Sequence, residues 1–513
     1  MKASSVVPLL ALASQADASK CQMLQAKCCG KLAGDPVLQG KVLFPGDSQG
    51  RNDARLASYY SANAALSPWC MVLPTETLDV SRIASILQEN ACPFGMRSGA
   101  HSAFSGSNGV SDGVTVDFGY LNATTYTPGS DIASIQPGSD WGSAYETLDP
   151  FGVTVVGGRA SVVGVGGFIS GGGYSFHSAK YGWGADTVRN FEIVLANGTV
   201  VNANKDENAD LWKAQKGGSG NFGFITRLDM EVVDTNQLWA GIIVYDTPEV
   251  EASWQAYLDF VDNMGNQEAE SQALVAMVAN EKTISHTALI SNSRGDPEPE
   301  TLSAFLALPN LSSTIQRDTV AKVVPAFTGP TPLGLFSNWL VELYASNMEV
   351  LRHIDDTLAT YTDKIRAAAP TSVFQILIEL QPVTPSMVRH STSKGGGGNI
   401  LGLEHVVAAE GGGPGGSPAV MFLIALTVDT AANQDIVLPL VLEFRDAVNQ
   451  IMTTEGYNRD WVYAPYAWKG QDPLSRYGAD NVALMRDVSA RYDPQGMFQE
   501  LRVSGFKIPK DVA

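Results

Sequence analysis

"GVGGFISGGGYSFHSAKYGWGADTV", Gly164 to Val188, places eight glycines among aromatic and β-branched residues. Glycine has no Cβ, so a ligand can approach the backbone closely, and exposed N–H groups can cradle a bulky anion such as a pyrophosphate. The tightly interleaved Phe168, Ile169, Tyr174, Phe176 and Trp183 argue against a loose linker. The GxGxxG spacing and its later acidic residue are absent, which excludes a Rossmann fingerprint. No Gly-Lys-Ser/Thr closes the run as in a Walker A loop. Gly173-Tyr-Ser-Phe-His177 lacks the final glycine of a hydrolase elbow.

A second stretch, "GMRSGAHSAFSGSNG" from Gly95 to Gly109, sets one histidine among glycines, serines and alanines. In so bare a setting His101 could ligate a metal, shuttle a proton or bond to something large lying against the loop. The six histidines show no HxH or HExxH spacing, so no metal site is expected.

At 513 residues the chain exceeds one typical core, so two domains are expected. A net charge of -19 argues against nucleic acid or an anionic membrane as partner, since both need basic patches. Lys2, the short apolar run "VVPLLALA" and the small residues Ala16 to Ala18 read as a secretory signal over residues 1–18, implying a secreted protein. No later apolar stretch is long enough to cross a bilayer. Cys21, Cys28, Cys29, Cys70 and Cys92 cluster near the start. Two disulfides are expected to join the first three of these to Cys70 and Cys92, leaving one thiol over. Asn122, Asn197 and Asn310 begin glycosylation sequons.

The chain reads as α+β throughout. Residues 19–235 mix short strands and helices, with a hairpin signal at Asn197-Gly198. Residues 236–455 alternate strand runs such as "VFQILIELQP" and "AVMFLIALTV" with amphipathic helices, suggesting a second domain on an antiparallel sheet. Trp239, Trp254 and Trp339 sit in apolar runs and read as core. "SKGGGGNILG" and "EGGGPGGSPA" read as mobile loops at a cleft mouth. Residues 456–513 return to the first domain.

Taken together and in order, "RSGAHS", "VTVDFGYLN", "GVGGFISGGGYSF", "KYGWGADTV", "DLWKAQKGGSGNFGFITRLDM" and the terminal "YAPYAWKGQDPLSRYG" resemble the secreted FAD-linked oxidases of the berberine-bridge-enzyme-like group, of the vanillyl-alcohol-oxidase or PCMH-type FAD-binding fold. The resemblance implies FAD bonded through its 8α-methyl to His101, with Arg97, Ser98, Gly99, Ala100 and Ser102 around it. Ala100 stands where the family often has glycine. Many relatives add a cysteine tether at the place of Ala160, so a single histidyl tether is implied. Val163 matches the position that gates dioxygen, implying an oxidase that releases hydrogen peroxide. Gly164, Val165, Gly166, Gly167, Gly171, Gly172 and Gly173 would lie near the flavin, and Ile225 at the adenine. Tyr477 and Asn481 either support the flavin or are structural.

Tyr466 would stand on the substrate side as the base, although Pro465 replaces the family's asparagine before it. A tyrosine base needs a nearby cation, donor or relay at neutral pH. Lys469 is near in sequence, and Glu379 is the alternative base. The implied reaction is hydride transfer from a small molecule, a secondary-metabolite alcohol or similar, to flavin. A carbohydrate oxidase and a non-redox cyclase are the alternatives.

Overall fold

Asn197-Gly198 closes the expected hairpin: Gly198 takes φ +82°, a conformation glycine adopts freely, and Val194 pairs with Val200. The structure, a computed structural model, describes residues 8–393, 398–407 and 417–510. It shows a two-domain α+β fold built on three sheets.

The first sheet joins β1 (Val42–Leu43), β2 (Cys70–Val72), β3 (Phe94–Arg97) and β4 (Val114–Asp117) in the order β1-β2-β4-β3. Its last three strands are parallel. Helix Thr77–Glu89 makes the crossover, burying Val80, Ile83, Ile86 and Leu87. That spacing is one face of a helix. The second sheet orders β5 (Thr124–Tyr126), β6 (Ile132–Ile135), β10 (Phe224–Val233), β8 (Val188–Val194) and β9 (Val200–Asn204), with β7 (Thr154–Val155) beside β10. Helix Trp141–Leu148 stops as expected near Pro150 and Gly152.

The third sheet is antiparallel and orders β14 (Ser312–Ser313), β11 (Gln237–Tyr245), β13 (Ile284–Asn292), β12 (Ser271–Asn280), β17 (Phe374–Val383), β18 (Ala419–Val428) and β16 (Phe336–Ala345), with β15 (Gln316–Thr319) beside β11. Side chains alternate along a strand, so each strand carries two separate faces. On β17, Ile376, Ile378 and Leu380 are buried. The covering helix Val250–Asn263 donates from Tyr257 Oη to the Leu380 carbonyl at 2.9 Å. On β18, Phe422 meets Phe444 of helix Ala431–Thr454 edge-on. The opposite face turns toward the first domain.

Helix Pro8–Ala33 runs through the apolar N-terminal stretch. Among the described residues no helix is long and apolar enough to cross a membrane. Cys28–Cys92 and Cys29–Cys70 form the two disulfides, with Cys21 free, matching the expected pattern. The glycine runs read as mobile loops lie largely at 394–397 and 408–416, outside the described residues. Ile400 and Leu401, which follow the first run, are buried, and the Leu401 carbonyl accepts from Trp461 Nε1.

Candidate functional site

A cavity of about 650 Å³ lies between the two domains. Its floor is the His101 loop, the glycine segment and Ile225 of β10; its roof is the open face of the third sheet. Ile225 sits where β10 shifts register against β8. Of the candidate residues, Arg97, Ser98, Gly99, Ala100, His101, Ser102, Gly164, Gly166, Gly167, Gly171, Ile225 and Tyr466 line the cavity. So do Ala160 and Val163.

Three glycine-segment residues do not. Val165 is fully buried in the core. Gly172 and Gly173 adopt φ +120° and +87° and pack under Leu401 and Phe168. They are glycines for backbone conformation and close packing. Arg97 contributes to the lining, but its guanidinium points into the fold. It stacks on the Tyr59 ring and donates to the Arg55 carbonyl and Ser58 Oγ. Tyr477 and Asn481 stand behind the site. The Tyr477 hydroxyl accepts from Ala464 N, and its carbonyl accepts from Asn481. Both therefore support the Ala464–Tyr466 turn.

The floor depends on two glycines packed back to back. A Cβ on Gly164 would lie 2.4 Å from Gly99 N, and one on Gly99 would lie 2.5 Å from Gly164 Cα. The histidine loop is thus pressed directly onto the glycine helix. Ser98 Oγ donates to the Pro137 carbonyl, which also accepts from Gly166 N. Gly167 instead faces open space. Ala100 has φ +55°, which explains why glycine suits that position; alanine holds it at a cost of about 1 kcal/mol.

The His101 ring stacks on Tyr60, with centroids 4.0 Å apart and planes 14° from parallel, and meets Trp339 of β16 edge-on at 5.7 Å. Desolvation between these rings lowers its pKa to about 4, so the imidazole is neutral at pH 7. Trp339 is therefore a half-buried cavity residue rather than core, whereas Trp239 and Trp254 are core as expected.

Beyond Trp339 the roof carries one polar cluster. Arg159 Nη2 donates to Gln381 Oε1 at 2.9 Å and to Tyr466 Oη at 3.4 Å, and lies 3.9 Å from Glu379. Gln381 Nε2 donates to Glu379 at 2.6 Å. Burial raises the Tyr466 pKa and Glu379 adds to the rise, while the Arg159 cation opposes it. The cation beside Tyr466 is thus Arg159. Lys469 is exposed and lies over the Trp468 ring. The rest of the roof is mainly apolar, with Ile242, Ala276, Val278, Leu289, Leu377 and Leu423, and also presents Thr287 and Gln375.

Arg502, whose pKa burial lowers to about 9, also contributes to the lining, but its guanidinium donates to the Phe498, Ser504 and Phe506 carbonyls and to Asn221 Oδ1. Open glycine backbone at Gly167 and a neutral imidazole at His101 on the same floor fit a bulky anionic ligand such as FAD. Sequence reading missed Arg159, Tyr60 and Trp339. The one available signal was Gln375, Glu379 and Gln381, polar groups sharing one face of β17 while the other face is apolar.

Residues 68–204 match the FAD binding domain family. The chain is 33% identical over 490 residues to an FAD-dependent monooxygenase, sdcF of Emericella nidulans, covering 94% of this chain and 98% of the relative. It is 32% identical to the FAD-dependent monooxygenase drtC of Aspergillus calidoustus, covering 94% and 91%. Among solved structures, 6-hydroxy-D-nicotine oxidase of Arthrobacter nicotinovorans superposes with a TM-score of 0.74 at 20% identity, over 94% of this chain and all of that one. Physcomitrella patens BBE-like 1 gives 0.68 at 18%, over 95% and 100%. The chain belongs to the family of FAD-dependent oxidoreductases that includes these two fungal relatives, and it has the PCMH-type fold shared by the berberine-bridge-enzyme-like structure.

Proposed function

We propose that the protein oxidises a small, largely apolar molecule of secondary metabolism, an alcohol or similar, with FAD held by one bond to His101. The observation that carries this reading is the two-sided cavity: a glycine floor bearing a neutral imidazole, under a mainly apolar roof with a hydrogen-bonded Arg159–Tyr466–Gln381–Glu379 cluster. When bound, FAD supplies a two-electron acceptor that takes hydride from substrate and is reoxidised by dioxygen to give hydrogen peroxide. Ala160 stands where relatives carry a second tether, which supports a single one.

The chain's own residues do the rest. Apolar roof side chains bind the substrate and exclude water. Tyr466 as tyrosinate takes the substrate hydroxyl proton, and Arg159 favours that ionised form. Burial outweighs Arg159, so tyrosinate is the minority species at pH 7 and proton removal speeds up as pH rises. Val163, small and beside Gly164, leaves room for dioxygen.

A second reading, monooxygenation, is favoured by the names of the fungal relatives. The mainly apolar roof favours an apolar substrate over a sugar. A metabolite and sugar panel run under ¹⁸O₂, with peroxide and product mass as readouts, separates the readings. Labelled peroxide with unlabelled product is expected; labelled product supports monooxygenation, and turnover of sugars alone overturns the substrate class. Secretion is also proposed, supported by the two disulfides and by the exposure of Asn122, Asn197 and Asn310. Sequencing the N-terminus of protein recovered from medium tests it.

A further inference from the structure

We propose that Tyr60 and Trp339 are positioning residues for covalent attachment of the flavin, so that the second domain completes the His101 tether site; this rests on the His101 bond proposed above. Three chain segments meet there. Tyr60 lies flat against the imidazole, 4.0 Å between centroids, while Trp339 closes the adjacent side at 81° to it. Two walls nearly at right angles hold the ring in one plane. The walls also hold each other, since Trp339 Nε1 donates to Tyr60 Oη at 3.3 Å.

The backbone behind both walls is fixed. Tyr60 N donates to the Ala100 carbonyl, one residue before His101, at 3.1 Å. The next residues are clamped to β16: Ala62 N to the Leu335 carbonyl at 2.9 Å, and Ser61 Oγ and Asn63 Nδ2 to the Ser337 carbonyl at 2.9 and 3.0 Å. Trp339 is two residues further along that strand. The orientation of His101 is therefore set by a strand of the other domain.

Attachment makes one bond and breaks two. An imidazole nitrogen bonds the 8α carbon of the flavin; that carbon and the imidazole each lose a proton, and the two electrons released go to dioxygen, forming hydrogen peroxide. The attacking nitrogen needs a free lone pair aimed at the carbon. Enclosure by the aromatic walls keeps the ring unprotonated, and the stack fixes its aim.

The test uses full-length protein made in a riboflavin-starved host and then given FAD. The covalent share of bound flavin is followed in time by acid precipitation. Tyr60→Ala and Trp339→Ala should bind FAD but attach it about tenfold more slowly or worse, while Tyr60→Phe, which keeps the flat face, attaches at the wild-type rate. Tyr60→Leu, which keeps bulk without a flat face, carries the same expectation as alanine if the alanine variants do not fold. Wild-type rates in Tyr60→Ala or Tyr60→Leu together with Trp339→Ala overturn the proposal, as does a Tyr60→Phe as slow as alanine. Absence of covalent flavin from the wild type at all times would instead remove the His101 bond itself.

Discussion

Adding one methyl group at Gly164 should loosen the floor of the cavity. Gly164 has φ −71° and ψ 138°, which alanine adopts without strain, so the effect is purely steric. The new Cβ would stand 2.4 Å from Gly99 N, whereas ordinary contact begins at 3.4 Å. The histidine loop and the glycine helix must therefore separate by about 1 Å, and neither contact is a flexible side chain that could swing away. Overpacking of this kind costs about 1–3 kcal/mol. Gly164→Ala should melt a few degrees lower. His101 is two residues from Gly99, and a misplacement of about 1 Å slows a positioned reaction about a hundredfold, so covalent flavin should largely disappear. Gly167→Ala, melted as flavin-free protein because this backbone faces the proposed flavin site, is the control: its Cβ meets nothing within 4 Å, and its melting temperature should not fall. Thermal melts and in-gel flavin fluorescence read both effects. A Gly164→Ala protein that melts and attaches flavin like the wild type refutes the reasoning.

Tyr466→Phe should slow flavin reduction about 10²–10⁴-fold in stopped flow with covalent FAD intact; an unchanged rate transfers the base to Glu379. Arg159→Met removes the cation that lowers the Tyr466 pKa, so the rising limb of the pH–rate profile should move to higher pH; a shift to lower pH or none contradicts the assignment. The disulfides span 64 and 41 residues, worth about 4 kcal/mol each in the chain-entropy account. Reduction should lower the melting temperature markedly, and peptide mapping that found Cys70 or Cys92 as a free thiol would contradict the pairing.

Local signals carried most of the fold. Asn197-Gly198 announces its hairpin because the turn itself demands those residues. Helix Thr77–Glu89 declares its buried face by spacing, the β18 run reads as a strand because both faces are apolar, and the β17 run because Phe374, Ile376, Ile378 and Leu380 alternate with mostly polar neighbours. The site was legible where it is made of adjacent residues, as in the His101 loop and around Gly164. It was illegible where partners come from distant strands. Arg159 has no meaning in "GGRASVV" until β17 brings Gln381 and Glu379 beside it, 222 residues away in the case of Gln381. Trp339 looks like core because a wide aromatic in an apolar strand usually is. Gly172 and Gly173 looked like ligand contacts because close packing and ligand approach both call for glycine.

The roof of the cavity is one face of a sheet whose other face is fastened to helices. Ile242, Leu289, Leu377 and Leu423 can each be exchanged while Ile376, Ile378 and Leu380, pointing the opposite way, keep the register and the helical cover. On the proposed function, substrate choice is thus written on alternate letters of the strands of one sheet, and a lineage can rewrite those letters one at a time without reopening the problem of how the domain folds.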